Sequence, residues 1–232
     1  MSGHMIKQFD TDLENIRNKV MAMGGLVESQ LIRAMNGLET GDMQLLDDVI
    51  AGDHEVNRHE VELDEACTQI IALRQPAASD LRLIMMVIKT ITDLERIGDE
   101  AKKIAKKARL IHGSEAASFV PRVHLRPLAD LTLDMLRKAL DAFARTDPSV
   151  SAQIVRQDRG VDDGFKGAVR QLITFMMEDP RTISSSLELI FVARAIERIG
   201  DHAKNISEYV VYMAKGRDIR HLGVDALERA AQ

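Results

Sequence analysis

Two ten-residue stretches of this chain hold the side chains best placed to do chemistry. Glu95–Ile104 reads ERIGDEAKKI and Glu197–Ile206 reads ERIGDHAKNI, identical at eight of ten positions and 102 residues apart. Each contains a Glu-x-x-x-Asp pair, Glu95/Asp99 and Glu197/Asp201. On a helix, i,i+4 spacing sets both carboxylates on one face. In the first stretch that face continues the apolar stripe Ile84, Ile88, Ile91, so acids stand where core residues are expected. Burying unpaired carboxylates costs on the order of several kcal/mol. A cation, a salt bridge or solvent must offset that cost.

The preceding segment of each half supplies further oxygens. A turn is expected near Pro76. Asp53 and Asn57 lie 23 and 19 residues before it, and Asp99 and Glu95 lie 23 and 19 after it. Around Asp179, Asp158 and Asp162 lie 21 and 17 before, while Glu197 and Asp201 lie 18 and 22 after. If each turn joins two antiparallel helices, both i,i+4 oxygen pairs meet at one height. The first cluster is then three carboxylates and an amide, the second four carboxylates. Such oxygens are hard ligands suited to Mg²⁺, Mn²⁺, Ca²⁺ or Fe³⁺. No Cys or His pattern accompanies them, which disfavours zinc, and the Glu-x-x-His signature of di-iron bundles is absent. The competing reading pairs the acids with Arg96, Arg194 and Arg198. Glu28 is a weaker candidate at a similar height, while Glu60 and Asp64 read as a solvated edge. Gly98 and Gly200, inside the repeated phrase, imply close approach of another helix or of a metal cluster, since mid-helix Gly costs about 1 kcal/mol against Ala.

These residues must be positioned by helices. Apolar spacing is helical nearly throughout, and no segment alternates like a strand. Thr11-Asp-Leu-Glu14 is a capping-box pattern that starts a first helix ending near Gly41. Asp42 caps a second, running to about Arg74, and a third spans Ala78 to Gly113. Residues 115–127, with Pro121 and Pro127, read as a linker. A fourth helix runs from about Leu128 to Arg145. Asp147-Pro148 and Asp179-Pro180 open a fifth and a sixth, the last ending at Gly216. The second helices also match, at an offset of 105. The chain therefore reads as all-α, two tandem three-helix bundles related by internal duplication: 1–115, 116–216 and a C-terminal appendage, 217–232.

Composition agrees. Of 232 residues, 45% are hydrophobic and only 3% aromatic, which suits packed aliphatic helices. A net charge of −5 argues against nucleic acid as a partner. The single Cys67 precludes an intrachain disulfide, fits a reducing compartment and reads as an inert core thiol. No signal peptide is visible, and runs such as LIMMVI (83–88) are far too short to span a bilayer, so a cytoplasmic location is expected.

MGGLVE (23–28), DEAC (64–67), RQPAASDLRLI (74–84) and ARAIERIGDHAKNISE (193–208), together with the first ERIGD, resemble characteristic segments of the PhoU family of phosphate-uptake regulators, in the same order along nearly the whole chain. The resemblance implies duplicated three-helix bundles with E(D)xxxD metal motifs. It implies a regulator rather than an enzyme, in the cytoplasm beside the phosphate ABC transporter. Its implied partners are a PstB-like ATPase subunit and a PhoR-like sensor histidine kinase, and its implied effect is to restrain both uptake and the phosphate-starvation response. A homodimer is expected. The motif positions here are Glu95, Asp99, Asp158, Asp162, Glu197, Asp201 and Asp53; Asn57 departs from the pattern and puts the first site's occupancy in question. The expected cofactor is a hard ion, Mg, Mn or Fe. Arg82, Arg96 and Arg198 are the candidate partner-binding residues. No Gly-rich phosphate loop is present. Two other readings are a carboxylate-bridged metalloenzyme or metal-storing bundle, and a purely structural helical adaptor with solvated acids.

Overall fold

The computed structural model describes residues 2–113 and 119–216, with side chains from residue 8 onward. The boundary expected at 115/116 and the appendage at 217–232 lie outside the described residues. Six helices follow in order: α1 (Ser2–Thr40), α2 (Met43–Arg74), α3 (Ala78–Gly113), α4 (Arg126–Arg145), α5 (Ser151–Glu178) and α6 (Ile183–Lys215).

Local chemistry accounts for most boundaries. Asp42 caps α2 by accepting from the Leu45 N–H at 3.0 Å. Gln75, left-handed at φ 48°, ends α2 ahead of Pro76. Asp147 and Asp179 repeat one device: each side chain accepts from the backbone N–H two residues on, and the following Pro opens a single 3₁₀ turn that runs into α5 or α6. Gly216, at φ 67°, closes α6. The first helix departs from expectation: it begins at Ser2 and passes through Thr11. A capping box helps only where the chain would otherwise start a helix. Here Gln8 bonds to Asp12 across the expected start, in the i,i+4 geometry of a continuous helix.

α1, α2 and α3 pack as one three-helix bundle and α4, α5 and α6 as a second. The bundles are not separate bodies. α3 packs along α6 more extensively than along its own bundle partners, α1 also touches α4, and one apolar core runs through both halves. Ile84, Ile91, Leu94, Ile97, Val192, Ile196 and Ile199 are all essentially excluded from water in that core. Removing each such side chain from water contributes about 1.5–3 kcal/mol. Cys67 lies in the same core. Burial pushes its thiol up to about 12, which leaves it unreactive at neutral pH. No described helix is long and apolar enough to cross a membrane.

Candidate functional site

The antiparallel pairs α2–α3 and α5–α6 bring the acids of each repeat within electrostatic reach of one another. Burial, followed by the negative charges of Asp99, Glu60 and Asp53, pushes the Glu95 carboxyl above its ordinary range, against the pull of Arg96. Burial, followed by Asp201, and then Asp162 and Asp158, does the same for Glu197, against Arg194. The like charges of each cluster therefore face one another across two helices. Asp53, Asp158 and Glu197 are buried, and Glu95, Asp99, Asp162 and Asp201 are half-buried. Asn57 is exposed, its amide 3.4 Å from Asp53.

Each cluster contains a lysine that sequence reasoning did not assign to it; Lys102 was expected, with the basic run at the end of α3, on a solvated face. Lys102 Nζ donates to Asp53 Oδ2 at 2.5 Å, and Lys204 Nζ donates to Asp158 Oδ2 at 2.6 Å and to Asp201 Oδ1 at 3.3 Å. Both occupy the eighth position of the repeated phrase, one turn beyond its Asp, so the duplication of ERIGDxAK carries the lysine with it but does not say what it meets. Burial opposes the charge on Lys204, yet the hydrogen bond and negative charge of Asp158 raise its pKa. Burial raises Asp158 as well, in spite of Lys204. Lys204 and Asp158 thus form a short salt bridge at 2.6 Å between α6 and α5.

Among the described residues, no three His, Cys, Asp or Glu side chains converge as a ready-made metal cage. The acids are arranged around ammonium groups instead. Yet Asp53 Oδ1 and Glu197 Oε2 are buried with no hydrogen-bond partner, a costly condition for a carboxylate oxygen. Hard oxygen donors, partial burial and orphaned lone pairs fit a hard cation in donor type. Gln30 of α1 adds a feature that the sequence reading missed. It is buried, both ends of its amide lack partners, and it lies against Gly52 and Gly98 beside the first cluster.

The remaining expectations divide. Gly98 and Gly200 do admit another helix: a Cβ there would meet Val56 of α2 at 3.2 Å and Val161 of α5 at 3.4 Å. Arg96 pairs weakly with Glu95 and Asp99 at 3.5 and 3.8 Å, and Arg194 pairs with Glu197 at 2.7 Å. Arg198 instead crosses to Glu100 of the other repeat at 2.8 Å. Glu28 takes no part in the first cluster, because it bonds Arg137 of α4 at 2.6 Å. Glu60 is half-buried and raised by burial, with Asp64 and Asp99 adding to the shift, so it belongs to the cluster edge rather than to a freely solvated face; Asp64 is exposed. Arg82 is half-buried, its guanidinium 6.0 Å from the Tyr212 ring and close against Gly216, which ties the start of α3 to the end of α6.

The comparisons with known proteins agree with this architecture. A family model described as "PhoU domain" matches twice, at residues 20–108 and 125–210. The "Phosphate-specific transport system accessory protein PhoU" of Serratia marcescens is 50% identical over 229 residues, 99% of this chain and 93% of that one. The protein of the same name from Escherichia coli (strain K12) is 48% identical over 99% of this chain and 94% of its own length. The crystal structure of PhoU from Pseudomonas aeruginosa matches with a TM-score of 0.85 at 45% identity, covering 90% of this chain and all of that one. With a domain match in each repeat and about half its residues shared with full-length relatives, the chain belongs to the PhoU family.

Proposed function

We propose that the chain is an accessory protein of phosphate-specific transport that restrains phosphate uptake and the phosphate-starvation response. It acts as a cytoplasmic, non-enzymatic adaptor between the transporter's PstB-like ATPase subunit and a PhoR-like sensor kinase, peripheral to the membrane through these partners. The observation that carries this reading is near-full-length similarity to proteins named for that transport system. The clusters support a second element of the proposal. Asp158, Asp162, Glu197 and Asp201, and in the other repeat Asp53, Glu95 and Asp99 with Asn57, hold a hard cation, Mg, Mn or Fe. The ion would cross-link the helix pairs and neutralise their facing charges. Lys102 and Lys204 satisfy the acids when no metal is bound and compete with it.

Calorimetric titration of the chelator-stripped chain with Mn²⁺ tests the metal element. Saturable binding is expected. The Glu197→Gln/Asp201→Asn variant should bind at least about tenfold more weakly, and Lys204→Met more tightly than the parent. Absence of saturable binding, or weaker binding by Lys204→Met, would contradict the assignment.

A further inference from the structure

The two repeats answer to each other at an offset of 105 in their second helices and 102 in their third. Their cores show which residue of α4 answers to Gln30 of α1. A Cβ on Gly98 would meet Val56 and Gln30 Oε1; a Cβ on Gly200 would meet Val161 and the Met135 methyl. Gly200 is the equivalent of Gly98 and Val161 of Val56, so Met135 stands where Gln30 stands. Both are enclosed, Met135 completely and Gln30 down to 4% exposure. The second repeat fills the position with an apolar side chain of similar length. The first fills it with an amide, neither end of which has a hydrogen-bond partner. Such an amide destabilises the fold relative to a methionine, so packing does not account for it.

The surroundings of Gln30 set the first repeat apart in the same way. Its Nε2 lies 3.4 Å from the place of a Cβ on Gly52, the residue before Asp53. The second repeat carries a full side chain, Gln157, at the position of Gly52. Asp53 is 3% exposed, and its Oδ1 is buried without a partner while Lys102 engages its Oδ2. The equivalent Asp158 makes the same lysine contact through Oδ2, yet among the described residues it has no buried, unpartnered oxygen. An unpartnered amide and an unpartnered aspartate oxygen thus occur together in one repeat, and the other repeat has neither at the matching positions. That repeat is also the one in which Asn57 stands where the second has the carboxylate of Asp162.

We propose that Gln30 is a positioning residue of the first cation site, its amide N–H donating through a bridging water to Asp53 Oδ1 and so holding Oδ2 towards α3 and the other acids. Two to four polar partners fix a buried water, and Asp53 Oδ1 with the two ends of the amide supply them. A ligating carboxylate that is itself hydrogen-bonded holds a metal more tightly, which offsets the missing fourth acid. The inference rests on the metal element of the proposed function and deepens it: the first site draws on α1, α2 and α3, the second on α5 and α6 alone.

The test reads each site by itself in the chelator-stripped full chain. Glu197→Gln/Asp201→Asn leaves the first site, and Glu95→Gln/Asp99→Asn leaves the second. Mn²⁺ affinity is measured by calorimetry in each background, with and without Gln30→Met, the side chain that the second repeat itself uses. First-site affinity should fall about tenfold or more, and second-site affinity should stay within about twofold. The metal-free melting temperature should hold or rise, because the unpartnered amide is gone. Gln30→Leu takes the place of Gln30→Met if the latter melts lower than the parent. Unchanged first-site affinity would reduce Gln30 to a packing residue and overturn the inference while leaving the metal reading intact. An equal loss at both sites, or saturable binding at the second site only, would overturn it in the same way. No saturable binding by the parent chain would remove the metal reading and this inference with it.

Discussion

At the residue scale, the repeated phrase encodes a conflict between burial and charge. Glu95 and Glu197 hold their protons to higher pH in the folded chain than the ordinary value of 4.5, chiefly because they are buried and then because like charges face them. Between 4.5 and the raised value the folded state binds more protons than the unfolded one. Stability from this source is thus fully present below about 4.5 and is lost as pH rises through the folded pKa. Urea unfolding of the chelator-stripped chain should therefore show the parent losing stability relative to Glu197→Gln as pH rises from about 4.5 towards 7. A parent–variant difference independent of pH would contradict the buried, like-charge environment. The acids were legible in the sequence because carboxylates on an apolar stripe violate its pattern. Lys102 and Lys204 were not, since a lysine one turn beyond an Asp reads as an ordinary surface residue until the opposite helix is seen to place Asp53 or Asp158 beside it.

At the element scale, turn and cap chemistry was legible wherever a side chain closes on its own backbone. Asp42, Asp147-Pro148 and Asp179-Pro180 act as their residue types dictate. Asp42→Ala should lower stability by about 1 kcal/mol, read from the denaturation midpoint, because the Leu45 N–H loses its acceptor. Asp42→Asn should restore most of the loss. The start of α1 was misread because a capping-box pattern is also compatible with mid-helix positions, and nothing local to Thr11 stops the helix from continuing back to Ser2. The heights of the acid pairs could be computed because α2–α3 and α5–α6 are antiparallel hairpins around short turns, where counting residues fixes register. Glu28 fell to the opposite limitation: its partner, Arg137, comes from the other repeat, beyond the reach of counting.

At the scale of the whole molecule, duplication was visible in the sequence but fusion was not. The apolar stripes on α3 and α6 serve their own bundles and each other, and periodicity alone does not say which neighbour buries a stripe. One continuous core predicts a single cooperative unfolding transition, with helix content and near-surface probes in the two repeats melting together. Two resolved transitions would mean that the repeats are independent bodies joined by a weak interface. The same fusion gives the proposed regulator its physical form, one body in which both repeats share a core. The most direct measurement of that reading is made in cells. With the gene deleted and phosphate abundant, a phosphate-starvation reporter such as alkaline phosphatase is assayed alongside phosphate uptake. The account predicts high reporter activity or unrestrained uptake, reversed by the intact gene. Reporter and uptake both unchanged, in a strain carrying no second copy, would contradict it.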